Sequence, residues 1–142
     1  MLEEQVNEVI KYFKLGDKNA ITFGHPKMKM KWVLPIPGMT VYSFEQFQPF
    51  FIYFDSTGIS FFPLDLNNNY SVIGKSYIAW TEMKHLTFKK GMLLENTIEI
   101  ELENGKIQMN IPKTKAMNPW VKENNQYLAA NHYFYNELQM KE

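Results

Sequence analysis

The segment from residue 97 to residue 111 constrains the fold more than any other part of the chain. Its first half alternates glutamate with apolar residues, and the alternation resumes after Asn104 and Gly105. Strict alternation is typical of a half-buried strand, and Asn-Gly is the dipeptide that type I′ hairpin turns favour. Lys106 enters opposite the glutamate-rich strand, which should help to fix the register. The segment therefore predicts an antiparallel hairpin whose inward residues are Ile98, Ile100, Leu102, Ile107, Met109 and Ile111.

The same two-residue period extends toward the N-terminus, so a β region is predicted over residues 28–112. A strand is expected at 28–34, where apolar residues alternate mainly with lysine until Pro35. A long or broken aromatic strand follows at 40–55, and the turn-forming sequence at 55–58 connects it to a partner at 59–64. Short strands at 77–80 and 84–88 complete seven strand candidates in antiparallel order.

A helix is predicted at each end of what reads as a single domain, residues 1–142. Residues 1–16 have helical spacing and stop at Gly16, with an apolar stripe of Leu2, Val6, Val9, Ile10 and Phe13. Asn118 followed by Pro119 is a helix-start signal, and the apolar residues beyond it predict a capping helix over residues 118–140. The predicted fold class is α+β, mainly β.

Four stretches resemble the bacterial pleckstrin-homology-like domains and the related GRAM domains. Residues 51–62 look like the second hairpin of those domains, and residues 78–86 resemble their apolar-aromatic-polar-acidic segment between two strands. Residues 97–111 resemble their last hairpin, and the residues from Asn118 onward resemble their C-terminal helix. The resemblance covers residues 28–138 and implies a seven-stranded antiparallel barrel or bent sheet capped by a C-terminal helix. Residues 1–26 lie outside it.

This resemblance implies a non-enzymatic domain that binds a protein, a peptide or a lipid headgroup. Its phosphoinositide-binding members use a lysine on the first strand and further basic residues, usually including arginine, around the first loop. Lys27, Lys29 and Lys31 fall at the matching strand and could gather an anionic headgroup. The loop at 34–39 has no basic residue, which argues against a phosphoinositide. A row of lysines also protects an exposed strand edge from pairing.

The aromatic strand is the second candidate binding feature. Bulky rings occur at both parities of the segment 40–55, so the strand is either covered on both faces or presents one face to a partner. The N-terminal helix is the expected cover, and a binding or dimer surface is the alternative. The candidate binding residues of that surface are Phe47, Phe51 and Tyr53.

Composition excludes several kinds of chemistry. The absence of cysteine removes disulfides, thiolate nucleophiles and thiolate metal sites. The chain carries 15 lysines, no arginine and 15 acidic residues, and a neutral chain without arginine is a poor nucleic-acid binder. His25, His85 and His132 lack metal-ligand spacing. The glutamates at 99, 101 and 103 are expected to face solvent. We therefore predict no catalytic residue, no metal and no cofactor.

The whole sequence predicts a non-catalytic binding or interaction module, with a protein as the favoured partner. A peripheral binder of anionic lipid headgroups and a carrier of a small hydrophobic ligand are the alternatives. Nucleic acid is not expected, and a homo-oligomer remains open. The chain shows no signal peptide and no apolar run near the roughly 20 residues that span a bilayer, so a bacterial cytoplasmic location is expected.

Overall fold

A computed structural model describes residues 2–27, 30–32, 42–44, 48–103 and 105–141. The chain is mainly β with two α-helices, an α+β class, as the sequence predicts. Short 3₁₀ helices lie at Trp80–Glu82 and His132–Phe134. Within the described ranges, neither α-helix has the length and apolar character needed to cross a membrane. The main elements, in chain order, are α1 (Glu3–Tyr12), β1 (Ile21–Pro26), β2 (Met30–Trp32), β3 (Tyr42–Phe44), β4 (Phe50–Phe54), β5 (Gly58–Asp65), β6 (Ser71–Val72), β7 (Ser76–Ala79), β8 (Met83–Lys89), β9 (Glu95–Leu102), β10 (Gly105–Pro112), α2 (Pro119–Ala130) and β11 (Gln139–Lys141).

Nine of the described strands form one sheet. Its order is β11-β8-β9-β10-β1-β4-β5-β6, and β7 pairs with β5. The described pairs are antiparallel apart from β11 and β8, which run parallel. The strands at the two ends of this order do not pair with each other among the described residues. This part of the chain is therefore an open sheet and not a closed barrel.

Strand β1 joins the two halves of the sheet. Its first residues pair with β4, where Ile21 lies opposite Tyr53, and its last residues pair with β10, where His25 lies opposite Asn110. The predicted start of the β region at residue 28 is therefore wrong, because the sheet already includes Ile21–Pro26. All residues of β1 are buried, and a strand buried on both faces lacks the alternation that reveals half-buried strands.

The predicted strand at 28–34 belongs to a different unit. Residues Met30–Trp32 pair with Tyr42–Phe44 in a separate two-stranded sheet, with Trp32 opposite Tyr42. The predicted aromatic strand at 40–55 is thus broken into β3 and β4. The described part of this two-stranded sheet lies between β1 and β4 in the chain, so it is an insertion between two paired strands.

The hairpin of β9 and β10 is confirmed, with Lys106 opposite Glu101 as the charge pattern predicts. Its apolar residues Ile98, Ile100, Ile107, Met109 and Ile111 are buried in the core. The turn differs by one residue from the expected Asn104-Gly105 position. Gly105 pairs with Leu102, so Gly105 belongs to the return strand.

Helix α1 packs on the sheet and on the start of α2. Leu2, Val6 and Val9 are buried, and the Phe13 ring packs on Phe62 of β5 with centroids 4.9 Å apart. The Leu2 backbone N–H donates to Asn118 Oδ1 at 2.9 Å. All residues of β4 are buried. Within residues 50–54, both parities of the predicted aromatic strand are therefore covered by the chain.

Helix α2 ends at Ala130, ten residues before the end of the predicted 118–140 helix. His132, Tyr133 and Phe134 have φ angles from 51° to 60°, a left-handed conformation that ends a right-handed helix. This turn buries the Tyr133 ring against Phe54 and Phe88, at 5.1 and 5.0 Å between centroids. Burial of the Tyr133 ring thus ends the helix at a point where the spacing of apolar residues in the sequence predicts that it continues.

Candidate binding surface

The structure describes only part of the lysine row that the sequence suggests as a site. Lys27 is exposed just after β1, and its backbone N–H donates to the Gln108 carbonyl at 3.0 Å. Lys31 lies in β2, whereas Lys29 and Phe47 lie outside the described residues. The structure therefore gives no side-chain geometry for a lysine row.

Phe51 and Tyr53 are core residues, which corrects their assignment as binding residues. Both are buried in β4. The Phe51 ring packs edge-on against Trp120 of α2, with 6.0 Å between centroids. The Tyr53 hydroxyl accepts a hydrogen bond from the Asp17 backbone N–H at 3.2 Å. These rings tie β4 to its own chain and offer no surface to a partner.

The histidines remain apart, as their spacing suggests. His25 is buried in β1, where its Nε2 lies 2.6 Å from Glu95 Oε2 and its Nδ1 lies 3.1 Å from the Pro26 carbonyl. His85 lies exposed on β8, and His132 lies exposed in the 3₁₀ turn after α2. Within the described ranges, no three side chains of metal-ligating type come together.

Three consecutive apolar residues protrude into solvent in the loop between β8 and β9. Met92, Leu93 and Leu94 are 97%, 83% and 78% exposed. Single exposed apolar residues are ordinary on protein surfaces, but a consecutive run is unfavourable for folding unless it serves a function. We name these three residues the apolar tip.

The base of the apolar tip is anchored by hydrogen bonds. The Gly91 N–H donates to Asn96 Oδ1 at 3.1 Å, and the Gly91 carbonyl accepts from Lys113 Nζ at 2.6 Å. The Lys113 backbone N–H donates to the Leu94 carbonyl at 2.9 Å. A Cβ atom at Gly91 would lie only 1.7 Å from the Glu95 carbonyl, so only glycine fits there. The loop is held at both ends while its three apolar side chains stay in water.

A cleft with a basic lining opens beside this base. It has a volume of about 370 Å³ and lies between the β8–β9 loop, the residues after β10 and helix α2. Its lining includes Lys90, Lys113 and Lys122 and the amide side chains of Asn96, Asn125 and Gln126, and no described lining residue is acidic. We name it the lysine cleft.

Tyr133 supplies part of the apolar lining of the lysine cleft. Burial raises the pKa of the Tyr133 hydroxyl above its ordinary range, so this group is uncharged at neutral pH. The only charges that the described lining brings to the cleft are therefore those of its lysines. The cleft is suited to an anion.

Two carboxylates of β9, the strand that follows the apolar tip, are engaged with other partners. Glu95, which follows the apolar tip in sequence, contacts His25 and accepts from Asn110 Nδ2 at 3.3 Å. Glu99 accepts from Lys89 Nζ at 2.7 Å and from Lys106 Nζ at 3.0 Å. These hydrogen bonds hold the pKa of Glu99 at about 2, so its charge neutralises lysines that do not line the cleft.

A second depression lies between α1 and the residues around β6. It has a volume of about 850 Å³, and its lining includes Val9, Tyr12, Phe13, Tyr70 and Val72. Lys75 Nζ lies 5.7 Å from the centre of the Phe13 ring, a cation–π contact. We name this depression the α1 groove. It has room and apolar lining for a small hydrophobic molecule.

No protein-family model matches the chain, and no curated protein matches it either. Fold and surface therefore define the class of the protein: a mainly β, α+β chain with a lysine-flanked apolar loop. The sequence pattern predicts a lysine-glycine turn at residues 89–91 and gives no binding role to the apolar tip that follows it. The signal was present, because three apolar residues follow Gly91 where a turn should be polar.

Proposed function

We propose that this protein is a non-catalytic binding module of pleckstrin-homology-like architecture that contacts its ligand through the apolar tip and the lysine cleft. The observation that carries the proposal is the anchored apolar tip. Folding gains nothing from holding three aliphatic side chains in water, whereas a ligand that covers them gains the hydrophobic free energy of their burial. A cytoplasmic location is part of the proposal and suits a chain without cysteine.

The order of elements supports the architecture. When the β2–β3 unit is set aside as an insertion, together with the short strands β6 and β11, seven strands remain (β1, β4, β5, β7, β8, β9 and β10), and each pairs antiparallel with at least one other of them. Helix α2 comes directly after them, in the position of a capping helix. On this basis the first strand of the resemblance is Ile21–Pro26 and not the segment at 28–34.

The contacts of the side chains whose pKa values are altered support a non-catalytic role. Catalytic groups with altered pKa values usually converge in a cleft. Here the Glu99 carboxyl is paired with two lysines on the sheet, and the pKa of Tyr127 is raised chiefly by its hydrogen bond to Asp17. In the lysine cleft, the pKa of Tyr133 is raised by burial of its ring in the core. These contacts join elements of the fold to one another.

Reaction of a thiol at the apolar tip tests this proposal. The chain has no cysteine, so Leu93→Cys creates a single thiol, and Leu66→Cys is the matched control because Leu66 is also exposed, at 55%, in a distant turn. Alkylation would be timed in buffer and in thiol-blocked cell extract that retains its membranes. We expect extract to slow the reaction at position 93 at least fivefold but not at position 66. Equal rates at the two positions would refute the proposal.

A carrier of a small hydrophobic ligand is the second candidate, and the α1 groove favours it. Tyr12 is the exposed aromatic residue of its lining. A fluorescent fatty acid that binds the chain and is released by Tyr12→Ala, but not by Leu66→Ala, would support this function. Binding that both variants retain would exclude the groove.

A further inference from the structure

We infer that the ligand of the apolar tip and the lysine cleft is the surface of an anionic phospholipid bilayer, into which Met92, Leu93 and Leu94 insert. This inference rests on the proposed function and names the occupant that the proposed function leaves open. It uses a surface separate from the row of lysines at 27, 29 and 31. Shape and charge favour a bilayer over a protein, and the anchored base lowers the entropic cost of binding.

The shape of the tip fits hydrocarbon better than a protein partner. Protein interfaces bury about 800 Å² on each side and depend on aromatic or arginine anchors seated in pockets. The tip is a protrusion of three aliphatic side chains, too small for such an interface, and the chain contains no arginine. Hydrocarbon needs no shape complementarity, so three aliphatic side chains gain free energy there without a matching pocket.

The charge next to the tip matches an anionic headgroup layer. The Lys113 ammonium lies 2.6 Å from the Gly91 carbonyl, directly at the base of the tip, and Lys90 and Lys122 line the adjoining cleft. When the tip is in hydrocarbon, this base lies at the depth of the headgroups, where lysine is favoured. The chain has no net charge, so the attraction arises from this local cluster.

The anchored base reduces the ordering that binding requires. Asn96 and Lys113 hold Gly91, and the Lys113 N–H holds the Leu94 carbonyl, before any ligand is present. A loop that is already ordered loses less conformational entropy on binding than a flexible one. The tip is therefore presented to a surface in one arrangement.

Sedimentation with vesicles tests the apolar contribution. The full chain would be mixed with phosphatidylcholine vesicles that contain either no phosphatidylserine or about 30% of it, in about 0.15 M salt. We expect binding to the anionic vesicles only. The double variant Met92→Ser/Leu93→Ser should weaken binding at least tenfold, whereas Leu66→Ser should leave it unchanged. Equal effects of the two variants would overturn the inference.

A second pair of variants tests the charge contribution. Lys90→Gln/Lys122→Gln should weaken binding and flatten its dependence on salt, because fewer cations meet the anionic surface. Lys11→Gln/Lys14→Gln removes the same charge from exposed positions at the other end of the sequence and should have no effect. Lys113 stays unchanged because it anchors the tip. Matching losses from both pairs would overturn a role for the lysine cleft.

Competition distinguishes binding to a membrane from binding to a free anion. Excess phosphoserine or inorganic phosphate should not release the chain from vesicles, and full release would mean that a soluble anion is the ligand.

The thiol assay distinguishes a lipid ligand from a protein ligand. If extract protects the thiol at position 93 but no vesicle binds the chain, the ligand is a protein and only the lipid inference fails. If neither occurs, the proposed function fails as well. Unfolding midpoints of all variants would confirm that each one folds.

Discussion

At the scale of single residues, Glu99 is a charged residue that side chains from neighbouring strands cover and pair. The alternation of β9 predicts that it faces solvent with Glu101 and Glu103. Its side chain is only 12% exposed, because Lys89 and Lys106 close over it from the two neighbouring strands. Hydrogen bonds from these lysines, first from Lys89, lower the pKa of Glu99 from 4.5 to about 2. The charge pattern thus predicted the register, but not the burial that three strands create together.

Because of this lowered pKa, the free energy of unfolding is expected to fall over a defined range of acidic pH. Because the folded-state pKa of Glu99 lies below the unfolded value, its contribution is complete above pH 4.5 and is lost as the pH falls toward 2. Glu99→Gln should therefore lower the free energy of unfolding by about 1–2 kcal/mol at pH 7 and by much less near pH 2.5. Urea denaturation at both pH values measures this. The same loss at both values would show that the ion pairs are not its cause.

Asn124 supports the fold from within the apolar stripe of α2. It is buried, and its Nδ2 donates to the Ile21 carbonyl at 2.8 Å, which fastens the helix to β1. Asn124→Ala should destabilise the chain by about 1–3 kcal/mol, because the removed amide leaves this buried carbonyl without that donor. Gln126→Ala, at an exposed position of the same helix, is the control. Equal unfolding midpoints for the two variants would contradict this role.

At the scale of elements, sequence patterns predict those helices, hairpins and turns that are specified by residues close together in the chain. The alternation of β9 and β10 revealed their hairpin, and helical spacing revealed α1. The Asp55 turn was also predicted, and Asp55 Oδ1 accepts hydrogen bonds from the Thr57 and Gly58 N–H groups at 2.8 and 3.0 Å. Each of these elements is specified by residues close together in the chain.

The elements that sequence patterns did not predict depend on distant contacts. Strand β1 is buried on both faces, and its Gly24 sits where a Cβ atom would lie 2.8 Å from the Asn110 carbonyl. Helix α2 ends early because Tyr133 packs between rings from β4 and β8. The lysine cleft likewise combines residues from three parts of the chain, so only the apolar tip could have been found from sequence.

Helix α1 provides a prediction at this scale. Val9 is buried, so Val9→Ala should lower the free energy of unfolding by about 1–3 kcal/mol, whereas Asn7→Ala on the exposed side should change it little. Deleting residues 1–16 should lower the melting temperature further and expose a dye-binding apolar surface. Size-exclusion chromatography of the deletion variant tests the alternative, in which α1 holds two copies of the chain together. A deletion variant that stays stable and changes from dimer to monomer would make α1 an oligomerisation element.

At the scale of the whole molecule, the core and the apolar tip are separate. The described part of the predicted aromatic strand, β4, lies in the core, where Phe51 packs on Trp120 of α2. The surface proposed for a ligand lies instead at the β8–β9 loop, next to lysines from that loop, from the residue after β10 and from α2. Substitutions at Met92 or Leu93 should therefore leave the unfolding midpoint unchanged while altering binding.

The most direct test of this account is the environment of residue 93 on a membrane. Leu93→Cys would carry an environment-sensitive fluorophore, and Leu66→Cys would carry the same label as the control. With vesicles that contain phosphatidylserine, emission from position 93 should shift to shorter wavelength and be quenched by acyl-chain quenchers, while emission from position 66 stays unchanged. Sedimentation of the labelled protein with these vesicles, without any change in emission at position 93, would contradict insertion of the apolar tip.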